Sequence, residues 1–148
     1  GLTQLGLKDA LLWAQTKGDA YIVTDVKERN LEAIRTIDGE YASLKHLVIP
    51  QVYSYDEYRE VQKLGYDKII LTLYRMRIDP YELIGFAQRQ SPFAVTMPWQ
   101  VAESGLAYYL MQNQTLVYAH TINDQAVFKE LQKLGVYGVY TDFLLPQR

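Results

Sequence analysis

Six short apolar runs recur along this chain at a nearly constant interval, and that recurrence limits the fold more than any other feature. The runs begin near residues 20, 46, 68, 92, 115 and 136. A spacing of roughly 23 residues suits one strand, one helix and two short loops. Between the runs the apolar residues move to helical spacing. Residues 7–17 end at Gly18, residues 30–41 follow the first run, and Ser54 with Glu57 forms a capping box for a helix closing at Leu64-Gly65. Asp79-Pro80 opens a helix to about Gln90, residues 101–112 carry another, and Asn123-Asp124 can cap a last one that ends at Gly135. Strands and helices alternating in this way predict a parallel α/β sheet.

An open doubly wound sheet and a barrel both satisfy that pattern. The glycine-rich phosphate loops that would favour the open sheet are absent: no G-x-G-x-x-G follows the first run, and no G-x-x-x-x-G-K-[ST] occurs. Polar or aromatic residues instead end every run: Asp25 and Lys27, Gln51 and Tyr53, Thr72 and Tyr74, Trp99 and Gln100, His120 and Asn123, then Asp142. A site built from all the strand ends is the barrel arrangement. The reading is therefore a parallel (β/α) fold of TIM-barrel type, incomplete with six of eight βα units, with residues 1–148 as one domain. A faint internal echo, Val61-Gln-Lys-Leu-Gly65 and Leu131-Gln-Lys-Leu-Gly135, reads as shared chemistry at the ends of two helices.

Composition narrows the function classes. With 148 residues, 49% of them hydrophobic and 22% charged, the chain can bury a core and is globular. A net charge of −2 gives no bulk attraction to nucleic acid or anionic membrane. The 13 tyrosines lie within the predicted strands and helices, not among a basic patch, so they read as core and pocket lining. Having no cysteine excludes disulfides and thiolate chemistry. No apolar run approaches the ~18 residues of a spanning helix, and no signal peptide is recognisable. Gly1 without a preceding Met suggests a processed or engineered start, with upstream sequence missing.

Two motifs near the end of the chain carry a resemblance. His120-Thr-Ile-Asn123-Asp124, followed by Leu134-Gly-Val-Tyr-Gly138-Val-Tyr-Thr141-Asp142, is similar to the closing "W/H-T-V-N-x … L-G-V-D-G-I-x-T-D" of the glycerophosphodiester phosphodiesterase family. Thr24-Asp25-Val26-Lys27 is similar to that family's third-strand "E-x-K". Pro50-Gln51-Val-Tyr53 and Leu71-Thr72-Leu-Tyr74-Arg75 look like strand ends of a bacterial branch. The resemblance runs from about Leu7 to Leu144 and covers the family's strands three to eight.

It implies a metal-dependent phosphodiester hydrolase of lipid metabolism, cleaving a glycerophosphodiester with water to an alcohol and glycerol phosphate. The family's two acid-base histidines and its "E-x-D" metal carboxylates belong to βα units expected before Gly1, and neither His46 nor His120 maps onto them. No catalytic residue is therefore assigned, and the chain alone is expected to be inactive. Asp25 falls in a metal position, Asp where Glu is usual, for a divalent cation, Ca or Mg, in the complete enzyme. Lys27 suits a phosphate oxygen; Tyr53, Tyr74, Trp99 and His120 would line the substrate pocket. His120 stands where many members have Trp, and His46 lies at the amino end of its strand, away from the site. The expected ligand is a phosphodiester small molecule, not nucleic acid. The first and last strands would be bare edges, so a homodimer or an N-terminal fragment is the expected partner. The alternative is a non-catalytic module from the same barrel that assembles with another chain or binds a phosphoryl ligand.

Overall fold

The structure, a computed structural model, describes residues 4–145, and the chain divides into two compact units after Ile69. The first unit opens with α1 (Leu7–Lys17), which turns Leu11 and Ala14 inward and closes at Gly18 with φ 78°. Strand β1 (Ile22–Val23) follows, then α2 (Asn30–Glu40), whose Ile34 and Ile37 are buried. A 3-10 turn (Ala42–Leu47) leads into β2 (Val48–Ile49), β3 (Gln51–Val52) and α3 (Tyr55–Lys63). Strands β1 and β2 pair in parallel, Ile22 against Val48 and Val23 against Ile49.

The expectation for the second strand of this unit is corrected. The strand predicted from His46 to Tyr53 starts only at Val48 and is split at Pro50, because proline has no N–H to give the ladder. His46 and Lys45 sit in the 3-10 turn instead. There Lys45 is anchored on Asp38 at 2.5 Å and on the carbonyl of Leu64, with the Tyr66 ring 4.5 Å away. Asn30 is the first residue inside its helix, after Arg29 in the left-handed region, and its side chain is buried. The capping box forms with a longer reach than expected. Ser54 Oγ accepts from Glu57 N at 3.1 Å, while Glu57 Oε2 accepts from Tyr53 N at 2.8 Å.

The second unit runs β4 (Ile70–Thr72), α4 (Pro80–Gln90), β5 (Ala94–Pro98), α5 (Trp99–Val101), a π-helical turn (Ala102–Leu106), α6 (Ala107–Gln112), β6 (Leu116–His120), α7 (Gln125–Lys133) and β7 (Gly138–Val139). Its strands lie in the order β4-β5-β6-β7, every pair parallel. Thr72, Thr96, Tyr118 and Gly138 form one row across the four. Strands β4 and β5 are buried almost throughout, as parallel strands covered on both faces are. In β6 burial alternates: Val117 and Ala119 are inaccessible while Leu116, Tyr118 and His120 are half-buried.

Caps explain the helices here. Asp79 accepts from Tyr81 N at 2.9 Å and Glu82 N at 3.1 Å, with Pro80 in the first turn. Asp124 accepts from Ala126 N at 2.6 Å and Val127 N at 3.2 Å, so it caps α7 without Asn123. The single helix expected over 101–112 begins earlier, at Trp99, and breaks at Gly105, whose φ of 92° is non-helical. Gly135 ends α7 with φ 97° and Gly65 ends α3 with φ 79°. Gly65 donates to Gln62 O and Gly135 to Gln132 O, so the sequence echo does mark common helix-ending chemistry.

Candidate functional site

In the first unit four side chains meet at one oxygen. Asp25 and Lys27 lie in the stretch after β1; Gln51 opens β3 and Tyr53 follows it, and alternation puts residues 51 and 53 on the same face. Asp25 Oδ1 accepts from Lys27 Nζ at 2.6 Å, from Gln51 Nε2 at 3.0 Å and from Tyr53 OH at 2.5 Å. The ammonium also stands 5.4 Å from the centre of the Tyr53 ring. Three of the residues predicted from sequence, Asp25, Lys27 and Tyr53, are thus brought together, with Gln51 as the fourth member.

Burial works to raise the pKa of Asp25, but the hydrogen bonds from Lys27 and Tyr53, the Lys27 charge and the Gln51 amide outweigh it and hold the carboxyl below its usual range. Lys27 is pushed up, chiefly by its bond to Asp25. Tyr53 is raised by burial and by donating to the carboxylate. The Asp25 and Lys27 side chains are 55% and 48% exposed, so water screens the pair and its contribution to stability is at most about 1 kcal/mol.

The donors are held from behind. Gln51 N donates to Thr24 Oγ1 at 3.1 Å. Buried Asn30 donates from Nδ2 to Gln51 O at 3.0 Å and to Glu57 Oε2 at 3.4 Å, the same Glu57 oxygen that takes the Tyr53 amide. Asn30 and the second task of Glu57 are what the sequence reading lacked. Asn30 lies 21 residues from Gln51, and nothing local in the sequence signals the bond.

A hard divalent cation takes about six oxygen ligands, usually several carboxylates. Among the described residues no three His, Cys, Asp or Glu side chains gather to hold a metal, and the Asp25 carboxylate already faces an ammonium. The described residues by themselves do not supply such a ligand set.

In the second unit the remaining predicted residues follow the carboxyl ends of the strands. Tyr74, after β4, meets His120 at the end of β6 edge-on, with ring centres 6.4 Å apart. Tyr140, after β7, lies 6.2 Å from the same imidazole. Tyr118, whose ring covers Gly138, is 5.8 Å from Tyr137 and 6.1 Å from Tyr140. Trp99 is the first residue of α5, not the last of a strand, and lines a cavity of about 520 Å³ with Glu103, Thr121, Asn123 and Asp124. Asn123 ties the ends of β6 and β7. Its Oδ1 accepts from Thr141 Oγ1 at 3.0 Å and Asp142 N at 2.8 Å, and its Nδ2 donates to Asp142 Oδ2 at 3.2 Å. This wall can pack an alcohol and hydrogen-bond to it.

No protein-family model and no curated protein matches the chain. Solved structures do. A glycerophosphodiester phosphodiesterase from Parabacteroides distasonis superposes with a TM-score of 0.70 at 17% identity, over 92% of this chain and 59% of that one. A protein assigned as a glycerophosphoryl diester phosphodiesterase in Silicibacter pomeroyi gives 0.72 at 14% identity, over 93% and 52%. The chain therefore spans between half and three-fifths of the length of these structures. At such identities the likeness establishes the fold, a parallel α/β arrangement of TIM-barrel type, as the strand recurrence together with the polar strand ends predicted.

Proposed function

We propose that this chain recognises the phosphoryl group of a glycerophosphodiester, as part of a phosphodiester hydrolase resembling glycerophosphodiester phosphodiesterases. The observation that carries the proposal is the convergence of Lys27, Gln51 and Tyr53 as donors on one anionic oxygen. An ammonium, an amide and a phenol gathered in this way suit a phosphoryl oxygen, to which charge-assisted hydrogen bonds are short and strong. The likeness in fold to two phosphodiesterase structures supports the same reading. Lys27 supplies the charge and Tyr53 a second donor. Tyr74, Trp99 and His120 offer aromatic surface within the second unit.

Hydrolysis needs a general acid and base, and His46 sits in a 3-10 turn before β2 while His120 is packed between two tyrosine rings. The chain on its own binds and does not turn over. A non-catalytic phosphoryl-binding module is the second reading, favoured by the Asp25 carboxylate being engaged by Lys27, Gln51 and Tyr53. Titration with glycerol phosphate tests the first part: binding is expected, and its loss in Lys27→Ala. Assays of glycerophosphodiesters with Mg²⁺ and Ca²⁺ test the second. Turnover that disappears in Lys27→Ala would show that the described chain is itself a hydrolase.

A further inference from the structure

The three donors around Asp25 Oδ1 mark out a place for an anionic oxygen, and the oxygen that fills it belongs to the protein. We propose that Lys27, Gln51 and Tyr53 form a subsite for one terminal oxygen of phosphate or a phosphate ester, and that Asp25 is an internal competitor which must leave when ligand enters. The proposal deepens the reading of Lys27 as a phosphoryl-binding residue and rests on it.

The two sides of this contact are built differently. The donors come from Lys27, Gln51 and Tyr53, and two of the three are braced: the Gln51 amide on Thr24 Oγ1, the Gln51 carbonyl on Asn30, the Tyr53 amide on Glu57. Asn30 is 5% exposed, so the brace reaches into the interior. On the acceptor side Thr24, the residue before Asp25, is tied through its amide to Ile49 O at 3.2 Å and through Oγ1 to Gln51 N, while the Asp25 side chain itself stands at the surface. Asp25 lies outside any helix or strand and is 55% exposed at its side chain. All three bonds fall on Oδ1. Rotating this carboxylate into water restores its hydration at small cost, while the backbone of Gln51 and Tyr53 stays in place and Lys27, 48% exposed, can follow an incoming anion. A terminal phosphoryl oxygen has the charge and the lone pairs to accept the same three bonds. Ligand and Asp25 then exclude each other, and the apparent affinity of the native chain is reduced by the fraction of molecules in which the side chain occupies the subsite.

The consequence runs against the usual effect of deleting a site residue: removing Asp25 should tighten anion binding. Inorganic phosphate is titrated at low ionic strength into the native chain, Asp25→Ala, Asp25→Asn, Lys27→Ala and the Asp25→Ala/Lys27→Ala double variant, each checked by circular dichroism. Affinity is expected to rise roughly two- to five-fold in Asp25→Ala, the fold-change that corresponds to releasing an exposed ion pair, and less in Asp25→Asn, which keeps an acceptor oxygen. It is expected to vanish in both variants lacking Lys27. Acetate, which reproduces the deleted carboxylate, should compete with phosphate in Asp25→Ala and not in the native chain. Unchanged or weaker phosphate binding in Asp25→Ala, with loss in Lys27→Ala, would overturn the competitor and leave the phosphoryl reading standing. No phosphate binding to either the native chain or Asp25→Ala would overturn both, as would binding to Asp25→Ala that survives loss of Lys27.

Discussion

Replacing three glycines by alanine, one at a time, separates two physical costs that usually arrive together. Gly18, Gly65 and Gly135 each follow a helix with positive φ, at 78°, 79° and 97°. Putting an L side chain in that region costs about 1–2 kcal/mol. The surroundings differ. A Cβ at Gly18 would meet nothing within 4 Å, and one at Gly65 only Lys45 Nζ at 3.9 Å. A Cβ at Gly135 would lie 3.0 Å from both Ala107 O and Tyr108 Cα. These are backbone atoms of α6 and cannot swing aside as a side chain does, so overpacking adds roughly 1–3 kcal/mol. The helix-ending bonds at this point, Gly135 N to Gln132 O and Val136 N to Leu131 O, both 3.1 Å, would lengthen with the shift. Gly18→Ala and Gly65→Ala are thus expected to lose about 1–2 kcal/mol, and Gly135→Ala about 2–5 kcal/mol. Urea unfolding followed by circular dichroism gives the totals, and amide exchange at Val136 reports the local opening. If Gly135→Ala matched Gly65→Ala to within about 0.5 kcal/mol, close packing against α6 would not be what requires glycine there.

Other perturbations read single features. The Asp25 carboxyl is held below its ordinary value of 3.8, so its contribution is complete above that value and fades as pH falls below it. The native chain should therefore lose up to about 1 kcal/mol more than Asp25→Asn on acidification from about pH 4 to pH 2; parallel acid limbs would show that the cluster stabilises nothing. Asp124→Ala removes both cap bonds of α7 and should cost about 1 kcal/mol, with Asp124→Ser restoring most of it; exchange at Ala126 and Val127 checks this. Among the described residues β7 ends its sheet and β1 pairs with β2 alone, and such edges template pairing with other chains. Light scattering is expected to find self-association, and a monodisperse monomer would count against that expectation.

What could be read in the sequence was whatever local chemistry decides. Asp79-Pro80, Asp124, Ser54 with Glu57, and the glycines at 18, 65 and 135 each act within a few residues, and each marks a helix end in the structure. Strand extents were less legible, because pairing partners set them: β1 and β7 are two residues long, and Pro50 divides a run whose hydrophobicity alone suggests continuity. The kink at Gly105 was hidden because a glycine inside a helical pattern is usually tolerated. In the site, the alternation of Asp25 with Lys27 and of Gln51 with Tyr53 was visible. That the pairs would close on one oxygen was not, since the contact joins residues 26 and 28 apart in sequence. Asn30, holding the arrangement from beneath, looked like the start of a helix and nothing more.

The Asn123 tie has an implication for how this chain can vary. One amide group satisfies the backbone of residue 142, the hydroxyl of Thr141 and the carboxylate of Asp142. The turns after β6 and β7 therefore behave as one mechanical piece, and neither can be lengthened or redirected without breaking bonds made by the other. An exchange at Asn123 would be tolerated best when 141 and 142 change in the same lineage. Among relatives of this chain the three positions should vary together or not at all, and loop grafting should succeed only when both turns are moved as a set.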